Sequence, residues 1–297
     1  LGEVETNENR IENQNFKPKN LQNALHIFIA LFSYLQLSLN TNTMRRGSWR
    51  IRILVGLAIV AFAFIRRCSN QEENPYTGRV QNIDMTTEQE IAIGLQSAPE
   101  MAQQHGGLYP DERLQNLVDK VGNRLVQNSI AKETPYRYDF HLLADDRTIN
   151  AFALPGGQIF ITYALFSQLN EAQLAGVLGH EIGHVIGRHS AERIAESGFW
   201  QTLATGASVG GDMGSVVSGI GQNTLLKNGR GDELESDDLG VLFMIESGYD
   251  PHEMIQVMEI LKSAAGPNRV PEFQSTHPDP ENRIEKIKEA IAKYSGR

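Results

Sequence analysis

The sequence predicts an α+β domain, mainly helical, with a small sheet placed just before a histidine-bearing helix. Three observations carry this reading. Two stretches, "TTEQEIAIGLQSAPEMAQQ" and "DERLQNLVDKVGNRLVQNS", repeat apolar residues at helical spacing. Two short runs, "YRYDFHLLAD" and "QIFIT", are rich in β-formers. Finally, "QLAGVLGHEIGHVIG" is a helix apolar enough to be largely buried. A chain of 297 residues can hold one large domain or two small ones with a full core.

Taken in order, the first helix opens with Thr87 and Glu90 in capping-box spacing. The second carries its apolar stripe on Leu114, Leu117, Val118, Val121 and Leu125. Tyr138, Phe140 and Leu142 then alternate as in a strand, and "QIFIT" at 158–162 reads as another, with "NAFALPGG" between them. Asn170 is placed to cap the histidine helix, which is expected to run to about His189. The following glycine-, alanine- and serine-rich stretch, 197–223, fits either a helical hairpin packed through small residues or a mobile lid. "RGDELESDDLGVLFMIESGYD" reads as a helix acidic in its first turns, and Asp250 with Pro251 reads as the start of the next. The chain closes with "STHPDPENRIEKIKEAIAKY", and no repeat occurs at a solenoid period.

The N-terminal part reads as an address rather than a fold. Residues 1–43 precede the first methionine, Met44, and read either as upstream translated sequence or as a genuine extension. Residues 44–68 read as a signal sequence or membrane anchor: Arg45, Arg46, Arg50 and Arg52, then thirteen residues from Ile53 to Ile65 without a polar side chain. That run is short of the roughly twenty residues a free-standing span needs. Cys68, the single cysteine, excludes an internal disulfide framework, and Arg66 and Arg67 stand where a lipoprotein signal would carry small residues. Polar residues 69–85 read as a linker, and 86–297 as the folded domain that carries the histidine helix. From residue 68 onward eighteen basic residues face thirty-two acidic ones, which argues against nucleic acid as a partner.

The chemistry is concentrated in "HEIGH". His180 and His184 lie one helical turn apart on one face, with Glu181 beside them. Two histidines so placed hold zinc while the glutamate works on the metal-bound water. On a buried helix these groups need compensation, and a metal supplies it. A third protein ligand is still required. In the pattern that adds a third histidine six residues after the second, residue 190 should be histidine; it is Ser190, and His189, one position out, should face away from the metal. The other route is "DELESDD", where Glu233 could bind the metal and Asp237, one turn on, could orient an imidazole, with Glu235 as the fallback ligand. Taken alone, that acidic run could equally complement a helix dipole in its first turn.

"HEIGH" followed by "ELESD" resembles the gluzincin metallopeptidases of the CAAX prenyl protease and HtpX family, and "NPYTGR", "NAFALPGG" and "THPDPENR" resemble its BepA, LoiP and Oma branch. The resemblance spans about residues 74–290 and implies a zincin-like fold, one Zn2+ per chain on His180, His184 and Glu233, and Asp237 behind an imidazole. It implies that His277 approaches the zinc and can occupy its open position, and that Arg283 lies near the site, where it could stabilise the oxyanion. The multi-pass membrane core of the prenyl protease and HtpX groups is not among these motifs.

The reading is a zinc-dependent endopeptidase acting on misfolded or membrane-associated proteins in envelope quality control, with Glu181 as the base and a catalytic body outside the cytoplasm. Substrate should lie extended along Asn150, Ala151, Phe152, Ala153, Leu154, Pro155 and Gly156, pairing through its main chain. The alternative is a membrane-tethered chaperone or binding module that keeps the fold without turnover; an intact Glu181 speaks against it, since a structural zinc site needs no base. Sequence assigns neither a specific substrate nor an oligomeric state.

Overall fold

The computed structural model describes residues 46–211, 213–264, 273, 277 and 282–296, with side chains from residue 49 onward except 219–228 and 264. From Ile53 the described residues make one unit; Arg46–Arg52, the first turns of α1, belong to another. The elements are α1 (Arg46–Ser69), β1 (Gln71–Glu73), β2 (Val80–Asn82), α2 (Thr87–Gln104), α3 (Glu112–Gln127), β3 (Asp139–Leu143), β4 (Ala151–Ala153), β5 (Gln158–Thr162), a single turn α4 (Tyr163–Phe166), α5 (Glu171–Ile186), α6 (His189–Gly211), α7 (Gly214–Glu246), α8 (Glu253–Ala264) and α9 (Arg283–Tyr294). The α+β reading, mainly helical with a small sheet next to the histidine helix, describes this arrangement.

Three strands form the main sheet in the order β3-β5-β4, with β3 parallel and β4 antiparallel to β5. Every residue of β5 is buried, which is why "QIFIT" reads as an unbroken apolar run rather than an alternation. Its Ile159 and Ile161 meet Phe140 and Leu142 of β3, Val118, Val121 and Leu125 of α3, and Leu174, Leu178 and Ile182 of α5 in one core. A second cluster joins Val241 and Met244 of α7, Met254 of α8 and Ile287 and Ile291 of α9. The core therefore holds α5 between the sheet and α7, α8 and α9.

Local signals work as elementary chemistry dictates, with shifts of register. The capping box of α2 is made by Thr86 with Gln89, one residue before the expected pair. Asn170 caps α5 with Gln173 in the same reciprocal way. Asp250 accepts from the His252 amide at 3.0 Å, but the helix begins only at Glu253. The small-residue stretch beyond α5 is helical, as α6 and the start of α7.

Three expectations are corrected. Residues 69–85 are built into the body rather than linking to it: β1 and β2 pair antiparallel, and the buried Asn74 and Gln81 donate to the Ile186 and Gly187 carbonyls at 2.8 and 2.6 Å. These amides satisfy carbonyls left open at the C-terminus of α5. The histidine helix stops at Ile186 and not at His189, because Arg188 takes a left-handed conformation (φ 54°) and α6 starts afresh. Lastly, α7 begins at Gly214, so Glu233 sits roughly five turns inside a 33-residue helix. Helix-dipole compensation acts only within the first turn, so it does not explain the acidic run.

Helix α1 packs its Gly56 against Gly206 and Gly210 of α6, where a side chain on Gly56 would meet backbone. Arg67 pairs with the buried Glu196 at 2.6 Å, and Phe64 meets Phe199 edge-on. Its opposite side leaves Leu54, Val55, Phe62 and Ile65 exposed. Among the described residues no helix is long and apolar enough to cross a membrane.

Candidate metal centre

The site forms where α5 crosses α7. Close approach there depends on two small residues: a side chain at Gly183 would stand 3.0 Å from the Ser236 backbone, and one at Gly179 would touch Gly240 at 3.4 Å. Bringing the helix axes this close puts the carboxylates of Glu233 and Asp237 within hydrogen-bond reach of His180 and His184. Both histidines, both carboxylates and Glu181 are buried.

Four ligating atoms converge. His180 Nε2 lies 3.0 Å from His184 Nε2 and 3.3 Å from Glu233 Oε2, while His184 Nε2 lies 3.3 Å from Glu233 Oε1. His277 brings Nδ1 to 3.4 Å from His180 Nε2 and 3.2 Å from Glu233 Oε1. A tetrahedron with bonds of about 2.05 Å has edges of about 3.3 Å, so these separations are those of ligands around one zinc-sized ion. Within the described residues both Glu181 oxygens are buried without a hydrogen-bond partner, while Glu233 Oε2 lies 3.3 Å from both His180 Nε2 and Arg283 Nη2. A buried orphan carboxylate is costly in a merely structural role. The donor set of two imidazoles and a carboxylate fits a divalent metal.

Around this group the electrostatics are divided. Burial lowers the His180 imidazole, but hydrogen bonds and charge from Asp237 and Glu233 outweigh it and lift the group to about 9. Burial drives His184 down to about 3. Glu233, which burial would raise, is held well below the usual carboxylate range by His277, His184 and His180. His180 Nδ1 donates to Asp237 Oδ1 at 2.8 Å, and Arg283 grips the same carboxylate through Nε at 2.7 Å and Nη2 at 2.9 Å. Arg283 thus arrives at the site with Nε and Nη2 on Asp237 and with Nη2 also 3.3 Å from Glu233 Oε2.

His277 and Arg283 are both buried; Thr276, Pro278 and Pro280 lie outside the described residues. The His277 ring stacks on Phe273 at 4.3 Å, and its Nε2 lies 3.1 Å from the Ala151 carbonyl and 3.5 Å from Glu181 Oε1. Ala151 belongs to β4, the edge strand of the sheet. Of the residues expected along the substrate path, Asn150, Ala151 and Gly156 are buried, and Phe152, Ala153, Leu154 and Pro155 are half-buried. Ala153, Leu154 and Pro155 line a small hollow with His184 and Arg188. Gly156 (φ 82°) turns beneath Ile91, where a Cβ would overlap backbone.

His189 and the fallback ligand Glu235 pair with each other instead. Glu235 lies away from the four converging atoms, with Oε2 at 2.8 Å from His189 Nε2. His189 stays outside the group of converging ligand atoms, but the break at Arg188 turns its ring back onto His184, with Nδ1 2.8 Å from His184 Nδ1. Sequence reasoning missed Arg79, whose guanidinium pairs with Glu192, Asp232 and Glu235 at 2.7, 2.9 and 3.1 Å. The signal was present in "NPYTGR", but nothing in that stretch indicates a partner more than a hundred residues away.

Residues 112–291 match the model of Peptidase family M48. The chain is 32% identical over 229 residues to the beta-barrel assembly-enhancing protease of Yersinia pestis, covering 72% of this chain and 46% of that protein. It is 34% identical over 191 residues to the protein of the same name in Escherichia coli (strain K12), with 60% and 39% covered. Against the mitochondrial metalloendopeptidase OMA1 of Schizosaccharomyces pombe it is 28% identical over 238 residues, 78% of this chain and 70% of that one. The chain thus spans under half the length of the two bacterial relatives.

Proposed function

Because this chain belongs to Peptidase family M48, we propose that it is a zinc metalloendopeptidase holding one zinc on His180, His184 and Glu233. The observation that supports it most is the convergence of these three side chains, buried, at the mutual distances of ligands to one ion, with Glu181 beside them. Zinc bound there supplies Lewis acidity to a water and to the scissile carbonyl. Glu181 takes the proton of the attacking water and passes it to the leaving amine, a task suited to a buried carboxylate with no competing hydrogen bond. Asp237 keeps His180 in the tautomer with Nδ1 protonated, and Arg283 keeps Asp237 in place.

His277 is assigned as a reversible fourth ligand. Its Nδ1 stands among the candidate ligating atoms while its Nε2 engages the carbonyl of Ala151 on the edge strand. A peptide adding to β4 competes with it for that carbonyl. With His277 withdrawn, the segment 150–156 receives an extended substrate and Arg283 becomes a candidate donor to the oxyanion.

By likeness to relatives named for barrel-assembly enhancement and as a mitochondrial metalloendopeptidase, the substrates are taken to be misfolded or membrane-associated proteins of a cell envelope. The exposed Leu54, Val55, Phe62 and Ile65 of α1 support membrane attachment of a body lying outside the cytoplasm. The experiment is metal analysis of the purified chain with a casein-type cleavage assay before and after chelation. Zinc near one per chain and cleavage lost on chelation are expected; stoichiometric zinc without any cleavage favours the non-catalytic chaperone reading.

A further inference from the structure

Behind His184, on the side away from the converging ligands, stand His189, Asp232, Glu235 and Arg79, none of which the proposed reaction uses. His189, Asp232 and Glu235 come close enough to hold a cation among themselves. That space already contains one supplied by the chain: Arg79 pairs with Asp232 at 2.9 Å and with Glu235 at 3.1 Å. A second metal site is therefore not the meaning of the cluster.

Its meaning follows from proton bookkeeping on the imidazoles. A neutral imidazole that offers Nε2 to a metal carries its hydrogen on Nδ1. For His184 that hydrogen points at His189 Nδ1, 2.8 Å away, so His189 Nδ1 must be the acceptor. The His189 hydrogen then sits on Nε2 and is donated to Glu235 Oε2 at 2.8 Å. Ser236 Oγ stands farther off, 3.3 Å from His189 Nδ1. Only one set of tautomers satisfies the chain from Glu235 through His189 to His184, and it leaves His184 Nε2 open toward Glu233 and His180.

We propose that His189 is a positioning residue for His184, holding its orientation and tautomer, and that Glu235, steadied by Arg79, acts through His189. The proposal rests on the reading of His180, His184 and Glu233 as the metal ligands. Two further features support it. Gly187 makes room for the returning ring, since a Cβ there would overlap the His189 imidazole, and the left-handed Arg188 supplies the reversal. The other histidine has a matching arm, with Asp237 and Arg283 behind His180. On the His184 side the arm is one imidazole longer, because Glu235 cannot reach His184 itself. Through Arg79, which lies beside β2, the N-terminal hairpin is tied to the metal centre.

The test is metal affinity, not activity. The full chain is stripped of metal and titrated with Zn2+ and Co2+ against a chromophoric chelator, and the Co2+ visible spectrum is recorded. His189→Ala is expected to weaken binding about 10–100-fold, as losses behind a metal ligand do, and to alter the Co2+ spectrum. His189→Asn, whose Oδ1 stands close to the position of the ring Nδ1, should recover most of that loss. Glu235→Ala should weaken binding by less, and the double variant with His189→Ala by no more than His189→Ala alone. Wild-type affinity and spectrum in His189→Ala, no recovery in His189→Asn, or losses that add in the double variant would each overturn the proposal. Should His189→Ala fail to fold, unchanged affinity and spectrum in Glu235→Ala overturn it just as well. His184→Ala is the control: if it binds metal like the wild type, the underlying ligand assignment fails, and not only the positioning arm.

Discussion

His180 and His184 face one another through their Nε2 atoms across 3.0 Å, one helical turn apart. With His180 raised to about 9 and His184 lowered to about 3, the pair shares one proton at neutral pH, carried by His180 and donated to His184. A metal must displace it. About one proton should therefore be released per metal bound at pH 7, and apparent affinity should rise about tenfold per pH unit between roughly pH 7 and 9, then level off. In the metal-free chain the sign is opposite: the stability contributed by the charged imidazole is full below its unfolded value of about 6.5 and is lost as the pH rises through about 9. Calorimetry in buffers of different ionisation enthalpy counts the protons; an affinity flat from pH 7 to 9 would contradict the shared-proton arrangement.

Glu233 and Glu235 are two residues apart in sequence but have different partners. Glu233 reaches both His180 and His184 at 3.3 Å, whereas Glu235 reaches His189. Glu233→Ala should lose metal almost completely, as should His180→Ala and His184→Ala, while Glu235→Ala keeps stoichiometric metal with the weaker affinity argued above. Metal retained in Glu233→Ala and lost in Glu235→Ala would reverse the ligand assignment.

Glu181→Gln removes a base and spares every proposed ligand. The substitution is isosteric at a fully buried position whose oxygens make no hydrogen bond, so fold and metal content should be unchanged. Cleavage should fall by about 10²–10⁴-fold, carried by kcat rather than KM. Substantial residual turnover with zinc in place would rule out Glu181 as the base.

His277→Ala should retain zinc, because three protein ligands remain, and should change turnover, upward where the His277 contact to Ala151 blocks the edge strand. Unaltered kinetics, together with a Co2+ spectrum identical to that of the wild type, would return His277 to a packing role on Phe273.

Some of this architecture was legible in the residues because its signals are local. The period of "GVLGHEIGHVI" puts His180 and His184 on one helix face, Asn170 caps that helix, and "QIFIT" has the composition of a buried strand. "ELESD" could be suspected as a partner because Glu233 and Asp237 are also one turn apart. Spacing favoured Glu233 over Glu235, because Glu233 shares a helix face with Asp237, but the approach of that face to His180 and His184 was not in the spacing.

Read alone, the residues pointed to the type of chemistry, because the two proposed histidine ligands and the proposed base lie about one turn apart on one helix, where spacing and direction are fixed by its geometry. Tertiary structure decided the rest. The approach of α5 to α7 at Gly183 and Ser236 selects Glu233 over Glu235. The reversal at Arg188 turns His189 back onto His184, and an arginine more than a hundred residues away closes the cluster around it. The placement of His277 between Glu233 of α7 and the Ala151 carbonyl of β4 likewise joins segments far apart in the chain. Such relations depend on three-dimensional distance between segments far apart along the chain, and no periodicity within a single segment encodes them.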